Sequence, residues 1–211
     1  MERDWREWHH EYDQPQSRLT QRLRVVQGLI RDALDRRPAG PIRAISTCAG
    51  EGRDLLGVLA EHPRAKDVRA RLVELDPDLA ATARAHAPTG VEVVCGDAST
   101  TSAYAGATPA DLVLVCGVFG NVADADIRNT VRTLPMLCAS GATVVWTRHR
   151  RAPDRTPDIR AWFSEAGFEE IAFIGSDQLL FGVGAHRLIG APAPYAPDVK
   201  LFEFVGIEAL R

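Results

Sequence analysis

The chain has 211 residues, with 25 Lys and Arg against 28 Asp and Glu, for a formal net charge of −3 at pH 7. That length fits one domain with a short appendage, and 45% hydrophobic with 25% charged residues is the balance of a soluble globular protein rather than of a disordered chain or a membrane bundle. The slight acidity gives no support for broad nucleic-acid binding, which favours a basic surface, although a local basic groove is compatible with it.

The N-terminus, Met1-Glu-Arg-Asp-Trp-Arg-Glu-Trp-His-His10, is too charged for a signal peptide. No apolar run is long enough to span a bilayer, so a cytoplasmic location is expected. The four cysteines, Cys48, Cys95, Cys116 and Cys138, are unclustered, show no metal-ligand spacing, and read as small apolar fillers. Trp5, Trp8, His9, His10 and Tyr12 make the first segment too aromatic for an idle tail. It is expected either to close over a ligand as a lid or to pack on the outside of the domain.

From Ser17, a suitable cap, the residues Leu19, Leu23, Val26, Ile30 and Leu34 recur at helical spacing until Pro38-Ala-Gly-Pro41 ends the run. Alternation follows, with strands predicted at 42–47, 69–74, 91–95, 111–117 and 143–147 and helices between them at 52–61, 77–87 and 123–137. A helix at 157–167 leads to strands near 170–174 and 180–188, with no helix between those two. They are expected to pair as an antiparallel edge hairpin. The proline-rich tail from Gly190 should cross the surface, and 199–205 is expected to add a short final strand. The pattern predicts a seven-stranded, mostly parallel, Rossmann-like sheet with helices on both faces and an N-terminal helical extension. The expected division is a lid and helical segment at 1–40 and the main domain at 41–211.

The functional signal sits at the strand ends. Ile42-Arg-Ala-Ile-Ser-Thr-Cys-Ala-Gly50-Glu-Gly52 reads as a buried strand running into a glycine turn, where Gly50 and Gly52 let backbone approach a ligand closely. Glu74, at the end of the second strand, can accept both hydroxyls of a ribose. Asp97, after the third strand, can accept from an adenine amino group. A dinucleotide fingerprint wants a third glycine three positions after Gly52, and that position is Leu55. A tight strand-to-helix turn alone would explain the glycines but not the two acids.

These residues, with Asp111-Leu-Val-Leu-Val-Cys116-Gly117-Val-Phe119-Gly-Asn121 after them, resemble the class I S-adenosylmethionine-dependent methyltransferases over about Ile42 to Gly190. The resemblance implies S-adenosylmethionine as cofactor, held by Ala49, Gly50, Glu51, Gly52, Asp54, Glu74, Leu75, Asp97, Ala98, Cys116 and Gly117. Glu51 either balances the sulfonium charge or is a helix-start residue favoured by the dipole. Asp54 either reaches the methionine amino group or steadies the first helical turn. Tyr12, Phe119, Asn121 and Arg148 fall on the acceptor side, where Phe119 is alternatively core packing. His149 is the candidate general base, its ordinary pKa lying near neutrality. Arg148 and Arg150 either hold an acidic acceptor group or belong to a solvated basic loop paired with Asp154 and Asp158.

The Asn/Asp-Pro-Pro-aromatic motif of nucleobase amino methylation is missing after the fourth strand, and no zinc cluster is present to activate a thiol. A small-molecule oxygen or nitrogen acceptor is therefore expected, with no membrane partner. A non-catalytic cofactor-binding module and, further off, an NAD-dependent enzyme are the competing readings.

Overall fold

The computed structural model describes residue 14 and residues 16–205. Its elements are α1 (Arg18–Arg36), β1 (Ile42–Thr47), α2 (Arg53–Leu59), β2 (Val68–Glu74), α3 (Pro77–His86), β3 (Val91–Cys95), β4 (Ala110–Val115), α4 (Asp124–Thr133), β5 (Cys138–His149), α5 (Thr156–Glu165), β6 (Phe168–Ser176) and β7 (Phe181–Leu188). The seven strands form one sheet in the order β3-β2-β1-β4-β5-β7-β6. β1 to β5 run parallel, and β7 is antiparallel to both β5 and β6, so the predicted sheet and its edge hairpin are present.

Side-chain alternation along the strands builds two cores. Ala44, Leu72, Leu112, Leu114 and Val145 face α1, α2 and α3. Ile45, Val73, Val113, Val115, Val144 and Trp146 face α4 and α5. Ser17 caps α1 by accepting from the Thr20 amide at 3.0 Å, and the helix buries Leu19, Val26, Leu29, Ile30, Ala33 and Leu34. The far end of α1 is closed by Arg64, whose guanidinium donates to the carbonyls of Leu34, Arg37, Pro38 and Gly40. A cluster around Trp146 fills the second core. Phe163 stacks on Trp146 at a centroid distance of 6.0 Å and on His186 at 4.3 Å, and Trp146 Nε1 donates to His186 Nδ1 at 3.1 Å.

Four expectations need correction. β5 begins at Cys138, five residues earlier than the sequence suggests, because Gly141 at φ 70° absorbs a register shift between Ala110 and Leu112 of β4. The helix predicted over 123–137 ends at Thr133 and tightens into a single 3₁₀ turn at Leu134–Met136, where Pro135 lacks a donor. Residues 199–205 form no strand. They make only two isolated antiparallel bridges, Thr100 with Lys200 and Val122 with Phe204. Cys95 is exposed rather than a buried filler.

Candidate functional site

Strand register gathers the singled-out residues at one sheet edge. Thr47 pairs with Val73, Glu74 with Cys95, and Ser46 with Leu114, so β1 to β4 end side by side. The chain order reverses at β1, which lies between β2 and β4. In open α/β sheets such a switch point opens a crevice outside the carboxyl ends.

After β1 the backbone enters the left-handed region three times, at Cys48 (φ 48°), Gly50 (φ 56°) and Gly52 (φ 73°). The Gly52 amide closes the turn on the Ala49 carbonyl at 2.8 Å, and Gly52 then caps α2. A Cβ on Gly52 would stand 2.7 Å from Leu56 Cδ1 and 2.8 Å from Leu72 Cδ2, so packing as well as φ demands glycine there. Leu55, where a dinucleotide fold wants its third glycine, is buried in the first core.

Glu74 is itself buried, and both of its oxygens are aimed by backbone donors: Gly50 N to Oε2 at 2.7 Å and Asp76 N to Oε1 at 2.9 Å. The bond to Gly50 ties the carboxylate to the glycine turn, and each oxygen keeps a further lone pair for a hydroxyl. Beside it Leu75 is 68% exposed, an apolar surface at the lip of the crevice. Asp97 is exposed and held by Ser99, whose amide donates to Oδ1 at 2.8 Å and hydroxyl to Oδ2 at 2.9 Å. Ala98 is buried, and the buried Tyr104 hydroxyl donates to its carbonyl at 2.8 Å. Burial together with the charges of Glu74 and Asp97 pushes the Cys48 thiol up, so it is protonated at neutral pH.

Glu51 pairs with Arg53 Nε at 2.5 Å. Asp54 stands in the first turn of α2. Burial raises its carboxyl above the usual range, against the opposing charge of Arg22 and the polar Cys116 thiol. The Cys116 thiol is pushed well up by burial and then by the Asp54 charge. Gly117 (φ 76°) turns the chain out of β4, and its amide donates to the Thr147 hydroxyl at 2.9 Å.

Of the residues expected on the acceptor side, Phe119, Asn121 and Arg148 contribute to holding this turn. Asn121 Nδ2 donates to the Gly117 carbonyl at 2.6 Å. Phe119 is fully buried, 6.0 Å from the Trp146 ring. The buried Arg148 donates through Nη1 to the Phe119 carbonyl, while its Nε is buried without a hydrogen-bond partner among the described residues. Desolvation lowers its pKa. His149, half-buried at the end of β5, has its Cδ2 3.4 Å from where a Cβ on Gly120 would lie. Arg150 is paired with Asp154 at 3.0 Å and Asp177 at 2.5 Å. Tyr12, Trp5, Trp8, His9 and His10 lie outside the described residues. Among those residues, no group of three or more His, Cys, Asp or Glu side chains is placed to hold a metal ion, and no helix is long and apolar enough to cross a membrane.

Sequence reasoning missed the residues that support the site from behind. Ser99, Tyr104, Thr147 and Arg22 carry no motif of their own, and only Ser99, two positions after an acid, had a local signature, that of an Asx turn.

The fold is that of the S-adenosylmethionine-dependent methyltransferases. The structure is similar to magnesium protoporphyrin IX methyltransferase from Synechocystis PCC 6803, determined with S-adenosylhomocysteine bound (TM-score 0.66, 10% identity, 87% of this chain and 93% of that one). It is similar to an O-methyltransferase family protein from Burkholderia thailandensis (TM-score 0.64, 18% identity, 83% of this chain but 57% of that one). The N-methyltransferase NodS from Bradyrhizobium japonicum WM9 aligns with TM-score 0.61 and 15% identity over 85% of this chain and 99% of its own. No family model and no curated protein sequence matches the chain.

Proposed function

We propose that the protein binds S-adenosylmethionine and transfers its methyl group to an oxygen or nitrogen of a small molecule. One observation carries the reading: Glu74, preset by the Gly50 and Asp76 amides, stands between the glycine turn and the Asp97 turn, on the strand beside the order reversal. Glu74 accepts the ribose hydroxyls, Asp97 the adenine amino group, and Leu75 packs on the base. Ala49, Gly50, Glu51 and Gly52 border the methionine end. Asp54 and the start of the post-β4 turn, Cys116-Gly117, close that end.

The sulfonium methyl is already electrophilic, so the protein mainly aligns the acceptor atom with it and excludes water. His149, next to Gly120, takes the acceptor's proton where the nucleophile carries one, and Arg148 keeps the Phe119 carbonyl in place. The first segment with Tyr12 acts as the lid, and the molecule works in the cytoplasm. Neighbours that include an O-methyltransferase family protein and an N-methyltransferase support the general chemistry without choosing the nucleophile.

Calorimetric titration with S-adenosylmethionine, S-adenosylhomocysteine and NAD tests the reading. Selective binding of the first two is expected, and binding of NAD alone overturns it. Tight cofactor binding with no labelled methyl passed to any acceptor pool would instead favour a non-catalytic binding module.

A further inference from the structure

We propose that residues 195–205 are a positioning strap that fixes the post-β3 turn, which meets adenosine, relative to the post-β4 turn on the acceptor side. The inference rests on the cofactor reading above for what the two turns bind, but not for the contacts themselves. Tyr195 OH donates to the Thr101 carbonyl at 3.2 Å. The Thr101 amide donates to the Val199 carbonyl at 3.0 Å, the Val199 amide to Thr101 Oγ1 at 3.1 Å, and Thr101 Oγ1 to the Ala196 carbonyl at 2.6 Å. The Leu201 amide donates to the Ser99 carbonyl at 2.7 Å, and the Val205 amide to the Asn121 carbonyl at 3.1 Å.

The last two of these contacts fall on residues that shape the site directly. Ser99 holds both oxygens of Asp97, and Asn121 holds the Gly117 carbonyl. The reach also fits. Lys200 to Phe204 is four extended steps, about 13 Å, and β3 is separated from β4 by three inter-strand spacings, about 14 Å. The strap is anchored between its ends on α4. Asn129 Nδ2 donates to the carbonyls of Lys200 and Leu201 at 2.9 and 3.1 Å, the Thr130 hydroxyl lies 2.8 Å from the Leu201 carbonyl, and Asp126 Oδ2 accepts from the Glu203 amide at 3.1 Å. Leu201 and Phe202 are buried in the second core. Residues on α4, none of which is assigned a cofactor contact, thereby set where Asp97 stands.

The test is hydrogen exchange on the full chain carrying Thr130→Val or Asn129→Ala, with Thr130→Ser as the conservative rescue. It is paired with calorimetry of S-adenosylhomocysteine and 5′-methylthioadenosine well below each variant's melting temperature. The strap predicts joint loss of protection at 99–101 and 117–122. It also predicts about 3- to 10-fold weaker binding of both ligands, the scale of coupling from residues remote from a ligand, with Thr130→Ser restoring both. Exchange that rises only within 195–205, or unchanged dissociation constants beside a lowered melting temperature, would show a merely structural tail and overturn the proposal. If the unaltered protein binds neither ligand, the cofactor reading fails by itself, and joint or separate deprotection of the two turns still decides whether the strap links them.

Discussion

The two halves of the crevice are built on different principles. On the half proposed to meet adenosine, β1 to β3 present short carboxylates and backbone amides oriented mostly from within a few residues: one Glu74 oxygen by the Asp76 amide, Asp97 by Ser99, the turn by Gly52, with the Gly50 amide on the other Glu74 oxygen as the link from β1 to β2. On the half proposed to meet the acceptor, Phe119 and Arg148 hold up a loop through contacts that cross from β5 to the post-β4 turn, and Asn121 closes that loop on Gly117 from within. The first arrangement draws mainly on turn chemistry, the second on packing between strands.

The largest expected effect tests the adenosine half. Glu74→Ala removes the proposed acceptor for the ribose hydroxyls and frees the Gly50 amide. At roughly 1.5–3 kcal/mol for each charge-assisted hydrogen bond, S-adenosylhomocysteine affinity should fall by about 100-fold or more. Calorimetry of a folded variant checks this, and affinity within a few-fold of the parent protein would remove Glu74 from the site.

The same contrast explains what was legible in the sequence. β1 and β3 are found with the bounds their alternation predicts, and the glycine turn and both acids stand at the ends of the strands that were to carry them. Residues whose positions are fixed by period and turn chemistry can be read locally. The start of β5 at Cys138 was hidden because Gly141 reads as a loop until its partner β4 is known. The tail resembles a strand in sequence because Val199-Lys-Leu-Phe-Glu-Phe has strand composition. Pro192, Pro194 and Pro197 withhold donors just before it, and its backbone groups are taken instead by Asn129, Asp126, Ser99 and Asn121. Thr147 is invisible to local reading because its partner, the Gly117 amide, lies on another strand's turn, whereas Ser99 and Tyr104 have near partners and lack only a motif that marks them.

Next in size is the acidity dependence of the second core, which backs the acceptor half. Burial is the main cause that lowers His186 to about 4, with Glu170 at 3.5 Å opposing it only in part. In the unfolded chain the imidazole takes up its proton near its ordinary pKa of about 6.5, so between those values the unfolded state binds a proton that the fold excludes. The contribution is fully present above pH 6.5 and is lost as pH falls toward 4, below which the slope vanishes. The loss is on the order of 3 kcal/mol. Denaturant melts across this window should show it, and His186→Gln, which cannot titrate, should flatten the profile. An equally steep profile in that variant would assign the dependence elsewhere.

Somewhat smaller is the effect of overfilling the same core. A Cβ on Gly184 would lie 2.4–2.5 Å from three atoms of the Trp146 indole, a rigid and fully buried ring. Gly184→Ala should therefore cost about 1–3 kcal/mol of stability. Chemical denaturation measures it, while the adenosine half, with Gly184 away from its turns on β7, should keep its ligand affinity. Weakened binding in a folded variant would mean that the two halves are coupled through the sheet.

The smallest effect separates scaffold from acceptor chemistry. Arg150 follows β5 directly and is paired with Asp154 and Asp177, but both pairs are solvent-accessible, and Asp177 is 90% exposed. Such pairs contribute about 0–1 kcal/mol, so Arg150→Ala should melt within a few degrees of the parent protein. Arg148, by contrast, is buried with its Nη1 committed to the Phe119 carbonyl, and Arg148→Ala leaves that carbonyl without its donor. Once an acceptor is in hand, the pair of variants divides the loop's possible roles. If Arg150 holds an acidic group of the acceptor, Arg150→Ala raises KM at nearly unchanged stability, and lysine at 150 restores part of it because charge without the planar fork is retained. If the loop is only a solvated, self-paired segment, KM and stability both stay put for Arg150→Ala. The acceptor half then draws nothing from Arg150, and Arg148 acts with Asn121 and Phe119 through the loop they hold rather than through its charge.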